Sequence, residues 1–246
     1  MITIRNASEL YLASGHIKDG SFQGRWHFSF DRYRDPNWVH FGTLRVFNDD
    51  ILSPGATWPL HPHRRNEVVT YVVKGEFKHA DEHGEGGIMT KGDVQHTTIG
   101  KGMYHAEINN RKDEEMRFIQ LWFFPEEEGL DPSVSQKHVD QNDRTNKVLP
   151  LVSNRHKDAL KIRSDAEVYA SYLENGKTIS FETKDGWGVY LVPLEGGNLK
   201  INNQLIELHG AAKIKDEKFI TIKAEGNVEV LLLHVSLTAP YIQKYI

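Results

Sequence analysis

The sequence predicts an all-β protein built from two small barrels joined by a polar connection, and three observations lead there. Short runs rich in β-branched and aromatic residues recur along the chain and stop at glycine turns such as Lys74-Gly75 and Lys91-Gly92. Short strands at that density belong to antiparallel sandwiches and barrels. The apolar run MRFIQLWFFP over 116–125 ends at Pro125, and a polar, turn-rich stretch marked by Pro132 and Pro150 follows, the composition of an inter-domain connection. Beyond it the strand-and-turn rhythm starts again, which divides the chain into 1–135 and 136–246.

MITIRNASELYLASG reads as a short edge strand and turn. The segment 22–42 carries Trp26, Phe28 and Phe30 among Arg25, His27, Asp31 and Arg32. Such a segment can wrap a barrel, and filling the core is the expected role of its rings. Leu44, Val46, Ile51 and Leu52 form the next strand pattern, with Asn48-Asp49-Asp50 read as a turn or bulge. A strand begins near Thr57, VVTYVV over 68–73 is dominated by β-branched residues, and EFKHAD forms a further short strand. HGEGG over 83–87 has the composition of a hairpin turn, and DVQHTTIG and GMYHAEINN supply the last strands of the block. In the second block, YLVPLEGGNLKINN sits as TYVVKGEFKHADEH does in the first: an apolar strand, a glycine turn, a strand. EKFITIKA and VEVLLLHV complete it.

A chain of 246 residues and 28.2 kDa has room for two such domains. Acidic and basic residues are mixed and the net charge is -4, which argues against a dedicated nucleic-acid surface. The absence of cysteine excludes disulfides and a thiol nucleophile. No G-x-G-x-x-G or P-loop spacing follows a strand, so no phosphate-cradling loop is expected. No apolar run approaches a membrane span and the N-terminus has no signal-like pattern, so the expected location is cytoplasmic.

Chemistry concentrates in residues 55–109. His61-Pro62-His63 and His105-Ala106-Glu107 are each i,i+2 pairs, and in a strand such residues point to one face. Two such strands side by side would gather three imidazoles and a carboxylate around a point. A lone HxH pair is often solvent-facing, whereas two pairs joined by strand-and-turn sequence are hard to dismiss. Nitrogen and oxygen ligands without thiolate suit Fe, Mn, Ni, Cu or Zn. His79 and His96 are further imidazoles of the same block, each a candidate partner for a ligand or a packed side chain. His209 and His234 stand alone, so the second barrel is expected to hold no metal.

These residues also carry a resemblance. Gly55, His61, His63, Glu67 and Gly75 follow the first cupin motif; HPHRRNEVVTYVVKGEFKHAD and GDVQHTTIGKGMYHAE resemble the corresponding stretches of the pirin family of the cupin superfamily. The resemblance implies two cupin barrels of the double-stranded β-helix, or jelly-roll, type: a bicupin with a degenerate second domain. It also implies that His61, His63, His105 and Glu107 bind one divalent transition metal ion, iron first, with Zn, Ni, Mn or Cu as alternatives. Glu67 holds the position of the carboxylate ligand in many other cupins and is kept as an acid near the metal or a support of the barrel. Arg64-Arg65-Asn66 departs from the family wording by losing a glycine, which bears on the substrate more than on the metal. The implied activity is cleavage of a flavonol such as quercetin by 2,3-dioxygenation with release of carbon monoxide, Glu107 or Glu67 serving as base. The implied partners are a small aromatic substrate and dioxygen. Other readings are a metal-dependent enzyme acting on another aromatic or enediol compound, a non-catalytic protein working through protein contacts, and a purely structural ion.

Overall fold

A computed structural model describes residues 1–81 and 87–246. The hairpin expected at HGEGG lies, apart from Gly87, outside the described residues. Among the described residues the strands form three antiparallel sheets, and no helix is long and apolar enough to cross a membrane.

The first barrel is a seven-stranded sheet facing a four-stranded one. The larger runs in the order Ser133–Lys137, Val94–Thr98, Glu67–Lys74, Met116–Phe123, Leu44–Leu52, Gly20–Trp26, Tyr11–Ile17. The smaller runs Thr57–His63, Met103–Asn109, Phe77–Asp81, Ile88–Met89. At the Lys74-Gly75 turn, Gly75 has φ +77, and a Cβ there would lie 2.7 Å from the Glu115 carbonyl oxygen. Only glycine fits that approach at that backbone angle.

Strand alternation sorts the central strands of the large sheet into two faces. Met116, Phe118, Val72 and Leu52 face inward and pack with Phe77, Met89 and Ala56 at one end of the barrel. Val69, Tyr71, Val73, Ile119, Leu121 and Phe123 face outward into a second core shared with Val168, Tyr190, Val192, Leu231 and Leu233 of the C-terminal sheet. These strands are apolar on both faces because both faces are covered.

The third sheet is eight-stranded, with the backbone order Ile2–Arg5, Ala211–Lys215, Trp187–Ile201, Phe219–Ser236, Ala166–Leu173, Leu149–Val152. Leu173, Leu191, Leu199, Ile201, Ile220 and Ile222 contribute to its own buried core.

Several local expectations are corrected here. Asn48-Asp49-Asp50 is neither a turn nor a bulge but the middle of the strand Leu44–Leu52, pairing with Gln120, Ile119 and Phe118. Strand geometry survives because Asp49 finds Arg117 and Asp50 finds the Trp26 indole. YLVPLEGGNLKINN has no chain reversal at its glycines. They lie in the strand Trp187–Ile201, where register shifts at Pro193/Glu195 and Gly196/Asn198 absorb them while pairing continues. The polar connection is partly structured, since Ser133–Lys137 pairs with Val94–Thr98 at the edge of the first barrel. The edge strand Ile2–Arg5 joins the C-terminal sheet by pairing with Ala211–Lys215.

Candidate metal centre

Thr57–His63 and Met103–Asn109 are neighbours, with His61 opposite His105 and Met103 opposite His63. Between His105 and Glu107 the register shifts, so Pro59 and Leu60 on one strand oppose Ala106 on the other. Proline is tolerated at such a bulge because no ladder bond is required of it. The Pro59 carbonyl freed there is hydrogen-bonded to His61 Nδ1 at 2.8 Å, leaving Nε2 as the ligand atom of that ring.

One ligand atom from each of His61, His63 and His105 falls within a 4.8 Å cluster. Their ring centroids are 4.7, 4.8 and 4.7 Å apart, with steep mutual inclinations, an arrangement of three donors around one point. His63 Nε2 and His105 Nε2 are buried with no hydrogen-bond partner. Buried polar atoms are normally paired, so two orphaned imidazole nitrogens beside a third fit an ion. His105 Nδ1 lies 3.1 Å from His79 Nε2, a contact that fixes its ring. Burial, reinforced by the neighbouring imidazoles, pushes His63 down to about 4 and His105 down to about 2. Both rings are therefore neutral at physiological pH, the form that binds metal.

Glu107 stands outside the three-histidine cluster but lines the same cavity. Gln120, from the opposite sheet, donates Nε2–H to its carboxylate, and the Gln120 carbonyl accepts from Trp122 Nε1 at 2.9 Å. Burial raises the Glu107 carboxyl, opposed by the His61 charge and the Gln120 bond. Asp50 lies in the same space and accepts from Trp26 Nε1 at 3.1 Å. Its carboxyl is pushed well above the usual range, chiefly by burial and further by Glu107 and Asp49, against the Trp26 bond.

The cavity measures about 470 Å³. Trp26, Phe30, Trp58 and Trp122 wall it, with Asn48, Asp50 and Gln120 among its polar groups. The expected core role for the 26–30 aromatics is thus divided: Trp26 and Phe30 line the cavity, whereas Phe28 is buried in the inter-domain core.

The structure does not bring Glu67 to this site. Its side chain is on the outward face with Val69 and Tyr71, fully buried, and its Oε2 accepts from His96 Nε2 at 2.7 Å, Thr98 Oγ1 at 3.0 Å and Arg163 N at 3.1 Å. The i,i+4 relation to His63 fails because Arg65 takes φ +57 in the intervening turn, after which the strand restarts with its other face turned inward. His96 is spent on Glu67, so of the two extra imidazoles only His79 serves a candidate ligand. His234 is buried against Glu167 at 3.0 Å, and His209 Nδ1 lies 3.2 Å from Arg117 Nη2.

The family model described as Pirin matches residues 11–123, and that described as Quercetinase C-terminal cupin domain matches 151–235. A pirin-like protein of Caulobacter vibrioides is 38% identical over 221 residues, 89% of this chain and 94% of that protein. The chain belongs to the pirin family. A quercetin 2,3-dioxygenase of Escherichia coli K12 is 33% identical to this pirin over 233 residues, 94% of this chain and 97% of the relative. The crystal structure of the E. coli bacterial pirin YhhW in complex with nickel(II) superposes with a TM-score of 0.88 at 30% identity, covering 96% of this chain and 99% of that one. The architecture of this pirin is accordingly that of two cupin domains.

The residues that sequence reasoning missed, Asn48, Asp50 and Gln120, all sit on alternating positions of central strands. The period-two pattern Val46, Asn48, Asp50, Leu52, carried through its polar middle, would have placed two of them on the inner face.

Proposed function

We propose that this pirin is a metal-dependent dioxygenase acting on a flavonol-type aromatic compound such as quercetin. The observation that carries the reading is the cluster of three imidazoles, two with buried unpartnered Nε2 atoms, opening onto a cavity walled by aromatic rings. The name of the E. coli K12 relative agrees with it, and the nickel(II) complex of the bacterial pirin neighbour agrees with a metal in a protein of this fold.

His61, His63 and His105 would hold one divalent transition ion, with Glu107 as the fourth protein ligand. Iron is the first choice, and Ni, Mn, Cu and Zn also suit the donor set. When bound, the ion would supply Lewis acidity toward a substrate oxygen and, for every metal of that set except zinc, redox capacity for dioxygen chemistry. The remaining work falls to the chain. Trp26, Phe30, Trp58 and Trp122 take the flat faces of the substrate and exclude water. Glu107 accepts the proton of the substrate's 3-hydroxyl, and Gln120 keeps its carboxylate oriented. The overall conversion consumes one dioxygen, breaks the C2–C3 and C3–C4 bonds of the heterocycle, leaves one oxygen atom on each of C2 and C4, and releases C3 with its oxygen as carbon monoxide beside a depside. In this reading the chemistry is confined to the first domain, divided from the second at 135/136, and the C-terminal domain contributes packing.

Anaerobic reconstitution with each metal in turn, followed by measurement of dioxygen uptake with quercetin, tests the proposal. Uptake matched by quercetin loss is the expected result with at least one metal, and failure with every metal rejects it. In Glu107→Gln, turnover per bound metal should fall by about 10²–10⁴-fold, the usual effect of losing an acid–base group. Full activity in the metal-matched variant would remove Glu107 as the base.

A further inference from the structure

Beside the candidate metal cavity lies a second one of about 280 Å³, with Phe30 and Trp122 forming part of both walls. The character of the second cavity is different. The first holds the carboxyl groups of Asp50 and Glu107, whereas the second is lined by Arg45, Arg64 and Arg65 together with Phe124 and Tyr245. Trp122 stands between the two chemistries, its indole 4.8 Å from the His63 ring and 5.2 Å from Phe30.

The three guanidinium groups differ in how firmly they are held. Arg45 is fixed by Nη1–H bonds to the carbonyls of Ser29 at 2.7 Å and Val39 at 3.0 Å. Arg64 has no carboxylate partner among the described residues and is exposed. Among the described residues Arg65 pairs with Glu128 alone, at 3.7 Å and with both side chains exposed, a contact of little worth in water. Arg65 also occupies a backbone position at φ +57 that favours glycine. An arginine thus stands at a backbone position that favours glycine, next to another with no carboxylate partner among the described residues.

We propose that this second cavity is an anion-binding subsite, and that among flavonol-type aromatic compounds it favours one carrying an acidic substituent, held by Arg64 and Arg65 with Arg45 behind them. This rests on the reading of the first cavity as the substrate pocket. The ring stacks among Trp26, Phe30 and Trp122, and the carboxylate or comparable anion extends past Trp122 into the arginine cluster. Guanidinium groups bind carboxylates in paired, charge-assisted hydrogen bonds and also lie flat on aromatic faces, so the mixed lining of arginine and ring suits such a substituent. A neutral flavonol would leave the arginine cavity to water.

The test is calorimetric binding of 3,4-dihydroxycinnamate and its neutral methyl ester to zinc-loaded, redox-inert protein under anaerobic conditions. The acid should bind about tenfold tighter than the ester. That gap should close in the Arg64→Ala/Arg65→Gly double variant and shrink at about 0.5 M salt, in both cases through loss of affinity for the acid. Equal affinities in the wild type, or a gap that survives in the double variant, overturn the proposal. Binding and turnover fail separately: quercetin-dependent dioxygen uptake without anion preference removes only the subsite, whereas anion preference without uptake of dioxygen removes only the oxygenase.

Discussion

His61 and His105 are each held by a different neighbour, Pro59 and His79, so substitutions around the triad should not be equivalent. His61→Ala or His105→Ala removes one of three clustered nitrogen donors, and elemental analysis should show metal content collapsing while the far-ultraviolet spectrum stays β-like. His79 acts through His105, across 3.1 Å. His79→Ala should weaken metal binding by about 10–100-fold rather than abolish it, as read by competition with a chelator. Glu67→Gln provides the opposite control. Its hydrogen bonds lie on the outward face, so metal content should be retained while stability to urea falls by about 1–3 kcal/mol. Metal loss in a folded Glu67→Gln protein would bring that residue back to the site. His27 offers a pH probe. Burial holds it down to about 3 against an ordinary 6.5, and its Nδ1 lies 2.8 Å from the Tyr190 hydroxyl. A depressed imidazole stays neutral in the folded protein while the unfolded chain takes up a proton below 6.5. Its contribution is therefore intact above that pH and is lost as pH falls toward 3. His27→Asn, which retains a hydrogen-bonding oxygen, should flatten the pH dependence of unfolding in this window by up to one proton, about 1.4 kcal/mol per pH unit.

Elements from the two ends of the chain are interleaved. The strand Ile2–Arg5 covers the edge Ala211–Lys215, and Arg5 reaches from it to the carbonyls of His27 and Glu9 and the hydroxyl of Tyr33. The N-terminal strand thereby braces the segment that carries Trp26 and Phe30. Deleting residues 1–6 should lower the midpoint of thermal unfolding and, by exposing the sheet edge Ala211–Lys215, promote association visible by light scattering. An unchanged midpoint and a monodisperse sample would show the strand to be dispensable. A second tie is the short helix Gln141–Arg144, whose Arg144 is fully buried and donates to Glu229 at 2.8 Å, while Tyr71 of the first barrel donates to the same carboxylate. Arg144→Met removes the cation and leaves the Glu229 charge buried, at a cost of about 3–5 kcal/mol.

Over the whole molecule the two domains share one apolar core, because the outward face of the large N-terminal sheet packs on the C-terminal sheet. Interfaces of this kind couple the unfolding of the parts they join. Calorimetry of the metal-free protein should therefore give one transition in which both barrels unfold together, and two well-separated transitions would contradict a shared core. Asp49 adds a polar seam, paired through both oxygens with Arg117, which in turn meets His209 of the second domain. That seam starts one residue from Asp50, a lining residue of the candidate metal cavity. The C-terminal domain thus supports the sheet that presents Asp50 and Gln120.

What the sequence determined by itself was local and periodic. Glycine turns and β-branched runs specified an all-β chain, and the i,i+2 spacing of His61 and His63 and of His105 and Glu107 placed each pair on one strand face, because the pleat has a fixed period of two. The tertiary structure decided everything that depends on which face is inside. Glu67 lies four residues from His63, yet the turn at Arg65 reverses the phase of its strand and sends it to the inter-domain side. Asn48, Asp49 and Asp50 have turn-forming composition, yet partners on neighbouring strands keep them in a central strand and split them between the cavity and the domain seam. Gln120 meets Glu107, and Arg45 comes to share a cavity with Arg64, only because sheets and loops distant in sequence are packed together. Backbone periodicity is written residue by residue, whereas the choice of inner face and the pairing of buried polar groups depend on distant strands and are fixed only when the barrels close.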